Sequence, residues 1–193
     1  MEAFTRAVAA SESNPVKTRS EATLDASNGL CTVQKQRGKS LFHVGFHEHQ
    51  KLRLYPEEIS CLAHRGVLDI YLDEKLLSLR QVNDILEAFV PRECREAYCF
   101  LRERKFFPTR HISDGEIVRP QVSSSAQIHM AYDVHGSKKI EKPLFRVAVF
   151  SWIECMPEIA SIQCAMQDNV PLKLLVADGE GSFVSFQVGH RVY

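Results

Sequence analysis

The segment Gly45-Phe-His-Glu-His-Gln-Lys-Leu-Arg-Leu-Tyr-Pro-Glu-Glu-Ile-Ser-Cys-Leu-Ala-His-Arg-Gly-Val-Leu68 constrains this chain more than any other. It reads as a strand that enters a helix at a proline and leaves it at a glycine. Pro56 lacks an amide proton and has a φ already suited to a first helical turn, and Glu57 and Glu58 complement the positive end of the helix. Ile59, Leu62 and Ala63 form the apolar stripe, His64 and Arg65 stand in the last turn, and Gly66 supplies the stop. Val67, Asp69 and Tyr71 then alternate with Leu68, Ile70 and Leu72, which predicts a strand.

The same punctuation continues downstream. Ser78 with Gln81 three residues later predicts a reciprocally capped helix whose buried face is Val82, Ile85, Leu86 and Phe89. Pro91 opens a third helix with Cys94, Ala97, Tyr98 and Leu101 on one face. That helix ends in the basic cluster Arg102, Arg104 and Lys105, and an aromatic strand from Phe106 to Ile112 follows. The order helix, helix, helix, strand fits a winged-helix-like module, a fold that by itself decides no function.

Before this block, residues 1–40 are rich in Ser, Thr, Asn, Ala and Lys, and they are expected to form a disordered tail. After it, Gly115, Pro120 and Ser123-Ser-Ser125 mark a loop, with a linker at 119–127 between a first domain at 41–118 and a second at 128–193. In the second block Ile128, Met130, Tyr132 and Val134 alternate as a half-buried strand, and Leu144 to Phe150 is apolar enough for a strand covered on both faces. Pro157 and Glu158 begin a helix with Ile159, Ile162 and Met166 on one side. Leu172 to Ala177 is another buried strand, Asp178-Gly-Glu-Gly181 is a tight turn, and Val184, Phe186 and Val188 share a face of the last strand. The expected fold class is α+β, a helical, winged-helix-like N-terminal domain followed by a small α/β endonuclease-like domain.

Composition limits the functions open to such a chain. Across 193 residues, 24 Lys and Arg balance 24 Asp and Glu, whereas a freestanding nucleic-acid-binding domain is expected to have a pI above about 9. No run approaches the roughly 20 apolar residues that span a bilayer and the N-terminus has no apolar signal core, so an intracellular protein without a membrane partner is expected. The six cysteines at 31, 61, 94, 99, 155 and 164 include no Cys-x-x-Cys pair and read as reduced, packed thiols. His43, His47 and His49 around Glu48 are the nearest approach to a metal site, but no third ligand is evident, and neither a metal nor a cofactor is expected.

Both blocks resemble one family in the same order. The Leu54-Tyr-Pro-Glu-Glu58 motif and Leu62 through Gly66 resemble the Leu-Pro-Glu-Glu helix of the large structural subunit of the eukaryotic tRNA-splicing endonuclease, the Sen fifty-four type. Leu77-Ser-Leu79 resembles the start of the family's next helix, and Tyr98, Leu101 and the basic residues beyond resemble its third. Tyr132-Asp-Val134 followed by Pro143-Leu-Phe-Arg-Val-Ala-Val149 is similar to its Phe-Asp-Val and Pro-x-Phe-Arg-Val strands, and Val170-Pro-Leu-Lys173 with the acidic turn fits its closing hairpin.

The resemblance implies a non-catalytic subunit of a heterotetramer that removes introns from precursor tRNA. Two catalytic subunits and a second, smaller structural one would be its partners, and its residence would be the nucleus. The family's catalytic members share a Tyr, a His and a Lys, the proton-transfer and charge-stabilising groups that attack by a 2′-hydroxyl requires. Those three positions fall here near His135, Lys142 and Val170, with Lys173 three residues further on, so all three are changed. The resemblance further implies an assembly interface at Asp178, Glu180, Val184, Phe186 and Val188, and RNA contacts are candidates at Arg102, Arg104 and Lys105. Two alternatives stand beside it. One is a rearranged catalytic site of His135, Lys142 and Lys173. The other is a stand-alone RNA-binding adaptor using the basic cluster with Arg110, Phe106 and Phe107.

Overall fold

The computed structural model describes residues 19–136, 142–166 and 169–188. It is α+β, with two six-stranded sheets, a small hairpin and four helices among the described residues, none of them long and apolar enough to cross a membrane.

The first sheet contains β1 (Ser20–Asp25), β2 (Leu30–Lys35), β3 (Phe46–Glu48), β4 (Lys51–Leu54), β5 (Leu68–Leu72) and β6 (Lys75–Leu76), in the order β3-β4-β2-β1-β5-β6. β1 lies parallel to β5 and antiparallel to β2. Helices α1 (Pro56–His64) and α2 (Leu79–Leu86) contribute Ile59, Leu62, Val82 and Leu86 to the core, where they meet Ala22, Leu24, Cys31, Leu54 and Ile70. The predicted starts and stop are realised. Pro56 opens α1, and Val67 N–H reaches back to Leu62 O at 3.2 Å across Gly66, whose φ is +66°. Ser78 and Gln81 exchange backbone and side-chain bonds at the head of α2.

Residues 20–35 correct the disordered tail expected over 1–40. They form the β1–β2 hairpin near the centre of the sheet, and residues 1–18 lie outside the described residues. The average composition of that stretch hides a period of two: Ser20, Ala22 and Leu24 point inward while Glu21, Thr23 and Asp25 do not. The turn is built by Asp25, whose carboxylate accepts from Ser27 N at 2.9 Å and Asn28 Nδ2 at 2.7 Å.

The second sheet runs β14-β13-β12-β11-β7, from β7 (Phe107–Arg110) through β11 (Met130–His135), β12 (Phe145–Ser151) and β13 (Leu172–Ala177) to β14 (Phe183–Val188) at the edge. β8 (Ile112–Ser113) and β9 (Glu116–Ile117) form a separate hairpin. The connection from β12 through helix α4 (Ile159–Ala165) to parallel β13 is a βαβ crossover. One face packs against helix α3 (Arg92–Glu103), where Cys94, Ala97, Tyr98 and Leu101 meet Tyr132, Val134, Val147, Val149 and Leu175. The other packs Ala148, Phe150, Leu172 and Leu174 against Ile162 and Met166.

Two boundaries differ from expectation. α3 and β7, assigned to a first domain ending at 118, belong to the second core: β7 pairs with β11, and Tyr132 Oη donates to Cys94 O at 2.9 Å. An apolar helix stripe does not say which sheet it will cover. The linker at 119–127 contains β10 (Val122–Ser123), which pairs with β12, and the buried Ser123 hydroxyl accepts from His129 N at 2.9 Å.

Candidate assembly surface and charged sites

β14 ends the second sheet, and no further strand lies beside it among the described residues. Its register places Val184, Phe186 and Val188 opposite Val176, Leu174 and Leu172, so the three share the face that α4 covers elsewhere. Val188 packs on that core, but Val184 is 57% exposed and Phe186 45%. An edge strand with a bare apolar face is a ready template for pairing with another chain.

The acidic turn joins β13 to β14, and its two carboxylates differ in kind. Asp178 accepts from Glu180 N at 2.8 Å and from Ser182 N at 2.9 Å, and those two backbone bonds hold its carboxyl below the ordinary range. Asp178 therefore builds the turn, whereas Glu180 projects from it, exposed. Asp178→Lys would therefore remove the turn's own acceptor, whereas Glu180→Lys changes only a projecting charge. Glu180 and Gly181 border a groove of about 980 Å³ with α2 and α3, whose walls carry Arg80, Asp84, Arg92 and Glu96.

The basic cluster is drawn into local contacts. The Arg104 guanidinium lies 3.4 Å from the Phe100 ring centroid and Arg102 lies 5.1 Å from that of Phe107, while Lys105 is exposed and ends the helix at φ +64°. Phe106 packs edge-on to Phe145 at 5.2 Å as part of the core. Arg110 is bound elsewhere. It donates to both Glu57 carboxylate oxygens at 2.7 and 2.8 Å, and its guanidinium stands 4.0 Å from the Tyr55 ring centroid. Arg110 and the two phenylalanines of the adaptor alternative are thus occupied by packing.

The rearranged site does not assemble. His135 pairs with Phe107 on the face opposite Val134 and Phe145, and its Nε2 lies 3.4 Å from Thr109 Oγ1. Lys173 emerges on the Phe145 face, with its ammonium 4.0 Å from that ring centroid. The sheet separates them, and Lys142 is exposed beyond β11. His43, from the histidine cluster, rests edge-on against Phe107, while His47 lies on β3.

Several charged residues are more deeply placed than the sequence indicated. Glu57 is 1% exposed and paired with Arg110. Glu58 is buried, and burial pushes its carboxyl up to about 7 even though it accepts from Gly45 N at 2.7 Å and Tyr55 N at 2.9 Å. Arg95, also buried, donates to Val90 O, Asn83 Oδ1 and Glu87. Asp133 binds His111 at 3.0 Å and Arg146 at 3.1 Å. Burial alone would raise its carboxyl, but these two partners bring it below the ordinary range. Nothing in the helix periodicity separates an inward glutamate from a solvated one. The clue lay in position, since Glu57 and Glu58 flank the apolar stripe of a short helix.

A further group escaped the sequence reading. Trp152, Ile153, Met156 and Ile159, between β12 and the first turn of α4, are all exposed, although Ile159 was expected on one side of the helix with Ile162 and Met166, which do pack on the core. No curated protein matches the chain. Residues 6–72 match the family model described as the tRNA-splicing endonuclease subunit sen54 N-terminal domain, a span that runs through β1 to β5 and includes α1. Over that segment, about a third of the chain, the protein is similar to the N-terminal domain of Sen54-type subunits of the tRNA-splicing endonuclease.

Proposed function

We propose that this chain is a non-catalytic structural subunit of a heterotetrameric tRNA-splicing endonuclease, working in the nucleus to position two catalytic subunits on precursor tRNA beside a smaller structural one. In this reading the first sheet with its helices is the N-terminal subunit domain and the second sheet is the endonuclease-like scaffold.

The observation that carries the proposal is the edge strand β14, with Val184 and Phe186 bare to solvent in a chain whose N-terminal segment matches the family. Pairing a partner's strand along that edge would satisfy main-chain groups and bury both side chains in one step. Glu180 supplies a charge for orienting the encounter, an effect that falls on association rate and register more than on final affinity. Arg102, Arg104 and Lys105 at the end of α3 are the proposed points of contact with tRNA. Their salt-dependent contribution would be felt in the assembled enzyme rather than in this electrically neutral chain alone.

The separation of His135 from Lys173 favours a positioning role over a catalytic one. Co-expression with the catalytic subunits, read by native mass spectrometry and by cleavage of an intron-containing tRNA, tests the proposal. One copy of the chain in an active complex is expected, with full cleavage retained by His135→Ala and Lys173→Ala in combination. Cleavage by the isolated chain, abolished by that pair, would overturn the proposal.

A further inference from the structure

The exposed apolar residues at the start of α4 are concentrated. Trp152, Ile153, Met156 and Ile159 are 66%, 72%, 58% and 74% exposed, and all four fall within eight consecutive residues. Trp152 is also fixed in place. Trp152 N–H donates to Ala177 O at 2.9 Å, which ties the residue to the end of β13, and a Cβ added at Gly179 would lie 3.8 Å from the indole Nε1. The indole therefore stands against the acidic turn. Water is a poor environment for four large apolar side chains gathered within eight residues, and tryptophan is among the residues most enriched where binding energy at protein interfaces is concentrated.

Charge gives the patch its direction. Between residues 147 and 190 the sequence carries Glu154, Glu158, Asp168, Asp178 and Glu180 against one cation, Lys173, whose ammonium lies over the Phe145 ring. The chain as a whole is neutral, so its positive charge is concentrated elsewhere. Glu154, Glu158 and Asp178 are exposed around the patch, while Glu180 borders the groove that Arg80 and Arg92 line. This one-signed rim repels RNA and anionic membrane alike. It also disfavours a two-fold pairing of the patch with itself, which would bring the same carboxylates together.

We propose that Trp152, Ile153, Met156 and Ile159 form a docking face, separate from the β14 edge, for a protein partner that offers an apolar pocket rimmed by Lys or Arg. Trp152 is its anchor, and Glu154 and Glu158 are its steering charges. The proposal rests on the assembly reading above and adds a second contact to it, with side chains drawn from other elements.

The test uses the full chain and the co-expressed catalytic subunits as the binding probe. It compares wild type, Trp152→Ala, Glu154→Lys with Glu158→Lys, and Phe186→Asp. Trp152→Ala is expected to weaken binding at least about tenfold with the chain's own melting temperature unchanged, as for an interface anchor. The double charge reversal is expected to slow association, and wild-type association to fall between about 0.05 and 0.3 M salt. Carbodiimide treatment of the complex is expected to join Glu154 or Glu158 to partner lysines. Wild-type affinity in both Trp152→Ala and the charge reversal, with binding lost only in Phe186→Asp, would overturn this face while leaving the assembly reading intact. Failure of the wild-type chain to bind any subunit would remove both. A chain that sediments alone as a dimer and becomes monomeric on Trp152→Ala would assign the face to a second copy and overturn the proposal.

Discussion

Replacing Arg110 by alanine would leave the Glu57 carboxylate buried without its partner. Glu57 sits in α1, above the first core, and Arg110 comes from β7 in the second sheet, so the pair crosses the seam between the two halves. The Glu57 side chain is 2% exposed and that of Arg110 13%, and the contact is bidentate at 2.7 and 2.8 Å. Removing one member of a pair this deeply placed typically costs about 3–5 kcal/mol, because the remaining charge has lost both water and its counter-ion. At about 2–4 °C per kcal/mol for a protein of this size, Arg110→Ala should lower the melting temperature by roughly 6–20 °C. Replacing both partners by apolar residues of similar volume, Glu57→Leu with Arg110→Met, removes the orphaned charge and should recover most of the loss. Thermal melts by circular dichroism of the wild type, the two single variants and the double variant complete the cycle. A loss below about 2 °C in Arg110→Ala, or a double variant as unstable as the sum of the singles, would refute this account.

Three further outcomes are expected. Because burial raises the Glu58 carboxyl from 4.5 to about 7, the folded chain holds an extra proton between those values. This contribution to stability is therefore fully present below pH 4.5 and declines as pH rises to 7, by roughly 3 kcal/mol at most. Urea midpoints at pH 5 and pH 7 should differ less in Glu58→Gln than in wild type, and an equal difference would remove Glu58 as the cause. Gly45 has φ +69°, and a Cβ there would stand 2.3 Å from Arg53 O, so Gly45→Ala should cost at least about 2 kcal/mol in chemical denaturation. Phe186→Asp should change the stability of the isolated chain by less than about 1 kcal/mol, since the side chain is already half in water, while abolishing association with catalytic subunits in a pull-down.

Local grammar was legible in the sequence and long-range assignment was not. Pro56, Gly66, Ser78 and Gln81 act within one helical turn, so their roles could be read directly and recur in the structure. The alternation that places Val184, Phe186 and Val188 on one face of β14 was equally local. β1 and β2 were missed because averaging over a 40-residue window erased an alternation only six residues long, even though Asn28-Gly29 is a strong hairpin signal. The placement of α3 could not be read at all. Cys94, Ala97, Tyr98 and Leu101 state that the helix is buried on one side, but the choice of sheet depends on β11 and β12, which lie 29 or more residues beyond Leu101. At the surface, Ile159 has the spacing of a core residue and is nonetheless bare. Periodicity cannot distinguish a side chain facing its own sheet from one held out beside it.

The seam formed by Glu57 and Arg110 also orders events during synthesis. Every strand and helix of the first core lies between residues 20 and 86, so that core can close while the rest of the chain is still being made. Arg110 is added 24 residues after the last of α2, an interval of about 1–5 s at ribosomal rates and far longer than a helix needs to form. Throughout that interval the first core lacks the counter-ion for its most buried carboxylate, and Cys61 lacks the α3 surface it packs against. α1 must then hold its outer face open to water. The nascent first half is consequently an unfinished body, closed only when β7 arrives.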